Sequence, residues 1–243
     1  MSMSEEMNWM DHLEELRKRL IVLALAITAG ALLCFYFSDA LVEWITVPVK
    51  QHLYSLYFLS PYEAFLTKIK VSIVAGIILV SPVIFTQLWR FVSPGLYQKE
   101  KKVLLLLVSV STVLFFLGIL SAYYLTIPFA LKFFLDFQTP TLIPLISIGS
   151  YLAFFLSLIL AFGVMFNLPV VLIGLIWVGA LGTPFLACQR KVAIVLIFIL
   201  AAVLTPTADI FTLCLLALPL WLLFEASIIV GRIVEGRRKP APS

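Results

Sequence analysis

The chain has 243 residues, 63% of them hydrophobic and only 12% charged, with a mean hydropathy of +1.12 and a formal net charge of +4. This excludes an ordinary soluble globular domain. Backbone polar groups inside a bilayer must be satisfied within their own segment, so long uncharged runs without period-two alternation point to an all-α polytopic membrane protein and away from a barrel.

Residues 1–19 carry both signs of charge, and no small-residue cleavage motif follows the first apolar run. That run is therefore expected to be a retained span and not a removable signal. Just before it, Asp11 to Leu20 packs three acids and three bases into ten residues. Asp11 and Glu14 fit a capping box that starts a helix. Glu14 with Lys18 and Glu15 with Arg19 are i,i+4 pairs in the favourable order, worth about a few tenths of a kcal/mol each.

Charge-free windows predict six transmembrane helices at about 20–38, 71–89, 103–125, 151–177, 192–204 and 210–224, with a basic tail at 231–243, all in one membrane domain. The stretch from Asp39 to Leu66 is expected to form an amphipathic cap on the outer face, with Pro48 and Pro61 as breakers. The second and fourth spans share Gly76-x5-Pro82 and Gly163-x5-Pro169. These are either a faint parallel repeat or kinking prolines that curve the bundle. The last two spans are short. About 13 to 15 residues cover roughly 20 to 23 Å against a hydrocarbon core of about 30 Å, so either loop residues dip into the bilayer or the membrane thins locally.

Basic residues are distributed unevenly between the two sides. Arg17, Lys18 and Arg19, then Arg90, Lys99, Lys101 and Lys102, then Arg190 and Lys191, then Arg232, Arg237, Arg238 and Lys239 share one side, leaving Lys50, Lys68, Lys70 and Lys132 for the other. The positive-inside rule then places both termini in the cytosol. Nowhere do these residues build a clustered basic face with stacking aromatics, so nucleic acid is excluded as a partner. Cys34, Cys188 and Cys214 are far apart among apolar neighbours and read as small buried hydrophobes, with neither disulfide nor metal spacing.

Few residues have the makings of chemistry. Glu100 sits in Lys99-Glu100-Lys101-Lys102, after the breaker Ser93-Pro94-Gly95, on the same side as Glu15. Asp209, ahead of the sixth span, reads as an N-cap. Glu225, sixteen residues later, lies about 24 Å further along a helix, near the cytosolic leaflet, where it either has a functional role or meets a neighbouring base such as Arg232. His12 and His52 lie outside the spans, and neither His-Glu-x-x-His nor a nucleotide-binding Gly-rich loop occurs. No enzyme, metal or cofactor is expected. The alternative function is a small-solute or ion transporter, but the spans hold few ionisable groups and no pair of unwound segments marks a midplane site.

The run His12-Leu-Glu-Glu15-Leu16-Arg17-Lys18-Arg19-Leu20 and the run Phe91-Val-Ser-Pro94-Gly95-Leu96-Tyr97-Gln-Lys-Glu100, following Gln87-Leu-Trp89, resemble the TatC family. So do Pro48, Ser81-Pro82-Val83, Ala161-Phe162-Gly163 with Pro169, Leu204-Thr205-Pro206 with Asp209, and Phe224-Glu225, in order over nearly the whole chain. The resemblance implies the core receptor of the twin-arginine translocase in a bacterial-type plasma membrane, exporting folded proteins with energy from the proton motive force. It implies that Glu15 and Glu100 receive the arginine pair of a signal peptide, with Leu16, Arg17 and Phe91 in the same patch. A guanidinium presents a planar fork of donors that a carboxylate can hold bidentately, which suits two carboxylates to that task. It further implies single-span TatA/TatB-type partner subunits, a homo-oligomer within a receptor complex, contact with membrane lipid, and partner-docking or structural roles for Pro48, Gln87, Asn167, Asp209 and Glu225. Asn167 departs from the family's usual Glu or Gln, and a shorter amide there still bonds across a helix interface.

Overall fold

A computed structural model describes residues 3–50, 56–92, 101–139, 141, 144–178, 181–204 and 209–238. The described residues form eleven α-helices: α1 Met3–Tyr36, α2 Ser38–Lys50, α3 Glu63–Leu79, α4 Ser81–Val92, α5 Lys101–Ser121, α6 Ile127–Leu135, α7 Ile148–Met165, α8 Leu168–Val178, α9 Thr183–Cys188, α10 Arg190–Leu204 and α11 Ile210–Arg238. Among the described residues, four stretches are long and apolar enough to cross a membrane: Leu13–Tyr36, Leu104–Leu135, Ile148–Trp177 and Ile210–Ile233. The pair α3 and α4, bent by 57° at Val80, supplies a fifth crossing if taken as one broken span. The sixth apolar segment is α10. Its 15 residues reach only about 22 Å, short of a bilayer core.

Prolines account for the breaks. Pro82 has no N–H to donate and its ring crowds the carbonyl four residues back, so α3 stops and α4 restarts with the N–H groups of Val83 and Ile84 both on the Val80 carbonyl. The fourth span breaks in the same way before Pro169, where Val170 and Val171 both donate to the Asn167 carbonyl. Ahead of Pro128 the helix widens instead: Ala122–Thr126 is a π turn closed by the Ile127 N–H on the Ala122 carbonyl. Pro48 does not break its helix, which continues to Lys50.

Several expected boundaries move. α1 is already helical from Met3, so Asp11 lies inside the helix and its start is elsewhere; the side chain of Asp11 is outside the described residues. No proline or glycine interrupts residues 3–11, and nothing stops the helix growing backwards. α11 likewise runs past Glu225 to Arg238, so of the last two spans only α10 is short. A charged residue ends an apolar window without ending a helix.

Contacts divide the chain into two units. In the first, Met1–Trp44 with Ala64–Thr112, α1 packs on α4, and α1 crosses α3 at two glycines. A Cβ on Gly76 would stand 2.5 Å from the Ala31 nitrogen and 2.9 Å from the Gly30 carbonyl carbon. Small residues of this kind let membrane helices approach closely. The buried Trp89 indole donates to Ser111 Oγ at 2.9 Å, tying α4 to α5.

In the second unit, Ile45–Glu63 with Val113–Ser243, the interior is built on α7, where Leu152, Phe155, Leu158, Ile159 and Phe162 are almost fully buried, and on Leu216, Leu220 and Ile228 of α11. α5 crosses α7 through Gly118 and Gly163, with Gly163 against the Phe115 ring. Phe133 stacks on Phe211 at a ring separation of 4.0 Å. The Gly-x5-Pro fragments thus share one physical arrangement, a close helix crossing followed by a proline break. Cys188 and Cys214 are exposed, and only Cys34 is half-buried. In a lipid-facing chain an apolar neighbourhood does not imply burial, which corrects the reading of the cysteines.

Candidate functional site

In the first unit the helical frame places Glu14 and Glu15 one turn before Lys18 and Arg19, and both predicted pairs form. Lys18 Nζ lies 2.9 Å from Glu14 Oε1 with both side chains well exposed, whereas Arg19 Nη2 engages Glu15 Oε1 with the arginine only 16% exposed and Glu15 at 41%. Exposed pairs of the first kind contribute little. The second is built into the packing, because Arg19 Nη1 also donates to the Gln87 main-chain carbonyl of α4 at 3.0 Å. Arg19 is therefore more than an orienting charge. Its guanidinium bridges two helices and holds Glu15 in place.

Arg19 links Glu15, expected in the receptor patch, to Gln87, expected in a partner-docking or structural role, using the backbone of Gln87 and not its amide. Leu16 and Phe91 are half-buried and Arg17 is exposed. Glu100 and the loop Ser93-Pro94-Gly95 lie outside the described residues. Chemically, Glu15 is a half-exposed carboxylate that already accepts a guanidinium from its neighbour.

The second unit holds the other polar positions. Asn167 is 8% exposed; its Nδ2 donates to the Gly163 carbonyl at 3.0 Å, and its Oδ1 has no hydrogen-bond partner among the described residues. A buried acceptor of this kind suits a donor arriving from another helix. Asp209 stands at the start of α11, with Oδ1 accepting the Thr212 N–H at 2.7 Å and its carbonyl accepting from Leu213. Tyr151 of α7 donates its hydroxyl to the Ile45 carbonyl at 2.7 Å, which fastens the part of α2 that holds the buried Pro48.

Glu225 pairs with Arg190 at the start of α10, through Nε at 2.8 Å and Nη2 at 2.9 Å, and not with Arg232. Arg232 is two turns further along the same helix, about 10 Å in rise, whereas Arg190 is brought alongside by the packing of α10 on α11. Glu235, in what reads as a basic tail, was not foreseen. Its carboxylate accepts from the Thr183 N–H at 2.9 Å and from the Thr183 hydroxyl, so α11 grips the 181–190 connection at both ends. The signal in the sequence is that Glu235 is the one acid in an otherwise basic tail; that the helix continues to hold it is visible only in the fold. An open apolar groove of about 280 Å³ lies between α10 and α11, lined by Ile197, Phe198, Cys214 and Trp221 among others.

Residues 11–219 match the family described as Sec-independent protein translocase protein (TatC). A Sec-independent protein translocase protein TatC of Magnetococcus marinus is 45% identical over 231 residues, covering 94% of this chain and 85% of that protein. The protein of the same name from Aquifex aeolicus is 39% identical over 233 residues, covering 94% and 96%. A solved structure described as the crystal structure of the twin arginine translocase receptor TatC superposes with a TM-score of 0.82 at 39% identity, over 92% of this chain and 99% of that one.

Proposed function

We propose, from the premise that this chain belongs to the TatC family of Sec-independent protein translocase proteins, that it receives the arginine pair of a twin-arginine signal peptide on Glu15 and Glu100. It is a membrane component of that translocase. The ends carrying the basic residues, and with them both termini, face the cytosol of a cell whose plasma membrane the protein spans. The single observation that carries the receptor reading is the Glu15–Arg19 contact, because a guanidinium within the chain already occupies one side of a carboxylate that is 41% exposed. A ligand arginine would meet a carboxylate whose orientation is set beforehand, which reduces the ordering cost of binding.

The surrounding lysines and arginines repel a ligand that is merely cationic, so selection depends on the planar fork of arginine and on an apolar stretch lying near Leu16 and Phe91. Single-span partner subunits of the TatA/TatB type dock on the second unit, where the Asn167 amide takes the place of a longer side chain and asks for a donor from the partner. Copies of the chain associate within the receptor complex, and folded cargo crosses at the expense of the proton motive force, with no chemistry catalysed by the chain itself.

Peptide binding to purified protein, followed by fluorescence anisotropy, tests this. Glu15→Gln removes one charge-assisted contact, worth about 1.5 to 3 kcal/mol, and should weaken binding about tenfold or more. Glu14→Gln, which loses only an exposed pair, should bind as the parent does. Equal losses from the two variants, or none from either, would count against the assignment.

A further inference from the structure

Segments 56–62 and 144–149 of the second unit contain no charged residue, yet they leave Tyr57, Phe58, Leu59, Tyr62 and Leu145 exposed, Leu59 at 78% and Leu145 at 73%. Non-helical connections in water normally carry charge and hide large apolar side chains, and contiguous exposed apolar surface marks an interaction site. The backbone of these segments is, at the same time, bonded within the protein. Tyr57 and Ser147 form a parallel bridge in which the Tyr57 N–H donates to the Ile146 carbonyl at 3.2 Å and the Ile148 N–H to the Tyr57 carbonyl at 2.8 Å. Glu63 closes the rest, its carboxylate accepting the N–H of Leu59 at 2.6 Å and of Gly149 at 2.7 Å, while its own N–H donates to the Ser60 carbonyl. A Cβ on Gly149 would stand 2.5 Å from that carboxylate, so glycine is what lets it reach the amide.

A loop in water has no need to satisfy its own amides, whereas irregular backbone beside lipid costs several kcal/mol for each group left open. Tyrosine, an apolar ring with a polar hydroxyl, suits the boundary between headgroups and acyl chains, and phenylalanine and leucine suit its apolar side. A membrane-crossing element precedes the second segment in the chain: the span Leu104–Leu135 exposes Phe129 and Phe134 near its end, and Phe137, two residues on, is exposed as well.

We propose that the paired segments 56–62 and 144–149 are seated in the lipid interface, with the bilayer itself covering their exposed aromatic and aliphatic side chains. Glu63 is the internal acceptor that makes irregular backbone tolerable there. The connections leading into α3 and α7 are thereby anchored at the membrane surface.

The test uses the full-length protein with Cys34, Cys188 and Cys214 replaced by alanine, reconstituted into vesicles of phosphatidylethanolamine and phosphatidylglycerol. A nitroxide is attached at Leu59→Cys or at Leu145→Cys, and a third protein labelled at the exposed Val164 of α7 serves as the lipid-facing reference. Collision with molecular oxygen should exceed collision with a polar nickel chelate several-fold at both positions, as at Val164, and the ratio should not change on dilution with unlabelled protein. Preference for the nickel chelate would place the segments in water and overturn the proposal. Dipolar broadening that disappears on dilution would assign the surface to a second copy of the chain and overturn it as well. The two labels sit on separate segments and leave the backbone bonds intact, so each reads the proposal independently.

Discussion

Gly118→Ala is expected to cost the protein most or all of its folded, detergent-stable fraction, although it adds one methyl group to a helix. A Cβ at this position would overlap the Phe162 carbonyl oxygen, stand 2.9 Å from the Phe162 carbonyl carbon and 3.0 Å from the Phe166 Cβ. Two of those three atoms are backbone of α7 and cannot rotate away, so α5 and α7 must separate at the crossing on which the second unit's core is built. Overpacking costs about 1 to 3 kcal/mol, and a backbone clash belongs at or above the upper end of that range. Against a total stability of about 5 to 15 kcal/mol, the loss is large. Gly182→Ala is the matched control, since a Cβ there would meet Pro184 Cδ at an ordinary 3.6 Å. Size-exclusion profiles and thermal unfolding in the same detergent should separate the two variants by many degrees. Similar profiles would mean that the close crossing is not what holds α5 to α7.

The second large effect is expected at the proposed receptor patch. Replacing Glu15 and Glu100 together by glutamine should reduce the affinity for a twin-arginine peptide by about two to four orders of magnitude, since each carboxylate contributes about 1.5 to 3 kcal/mol to a charge-assisted contact. Glutamine at position 15 retains an oxygen for Arg19, so the bridge from α1 to the Gln87 carbonyl should survive and the double variant should unfold near the parent temperature. Loss of binding with retained stability separates recognition from folding. Loss of both together would make Glu15 a structural residue.

The distance between what the residues announce and what the fold does with them has physical causes. Apolar windows fall on the stretches long and apolar enough to cross a membrane, α10 excepted, because the bilayer penalises charge far more than any local propensity does. They locate helix ends poorly. α1 begins at Met3 and α11 continues to Arg238, both in stretches where charges are welcome and the helix has no reason to stop. Pro82 and Pro169 stand at breaks in their spans, yet Pro48 sits inside α2 and Pro219 inside α11, so the residue alone does not decide whether a helix stops.

Pairings within one helix, such as Glu15 with Arg19, follow from spacing alone. Pairings between helices do not: Glu225 meets Arg190 and Glu235 meets Thr183 only because α11 lies along the 181–190 connection. The close approaches at Gly76 and Gly118 are of the same class. A glycine in an apolar helix is visible in the sequence, but the backbone it admits is not.

The central claim is that two carboxylates on separate segments recognise two arginines together. It is tested most directly by placing a photo-crosslinker at position 100 and presenting signal peptides that differ only in Arg-Arg against Lys-Lys. The account predicts strong crosslinking of the Arg-Arg peptide, little of the Lys-Lys peptide, and loss of the difference in Glu15→Gln. Equal crosslinking of both peptides, unaffected by Glu15→Gln, would contradict it.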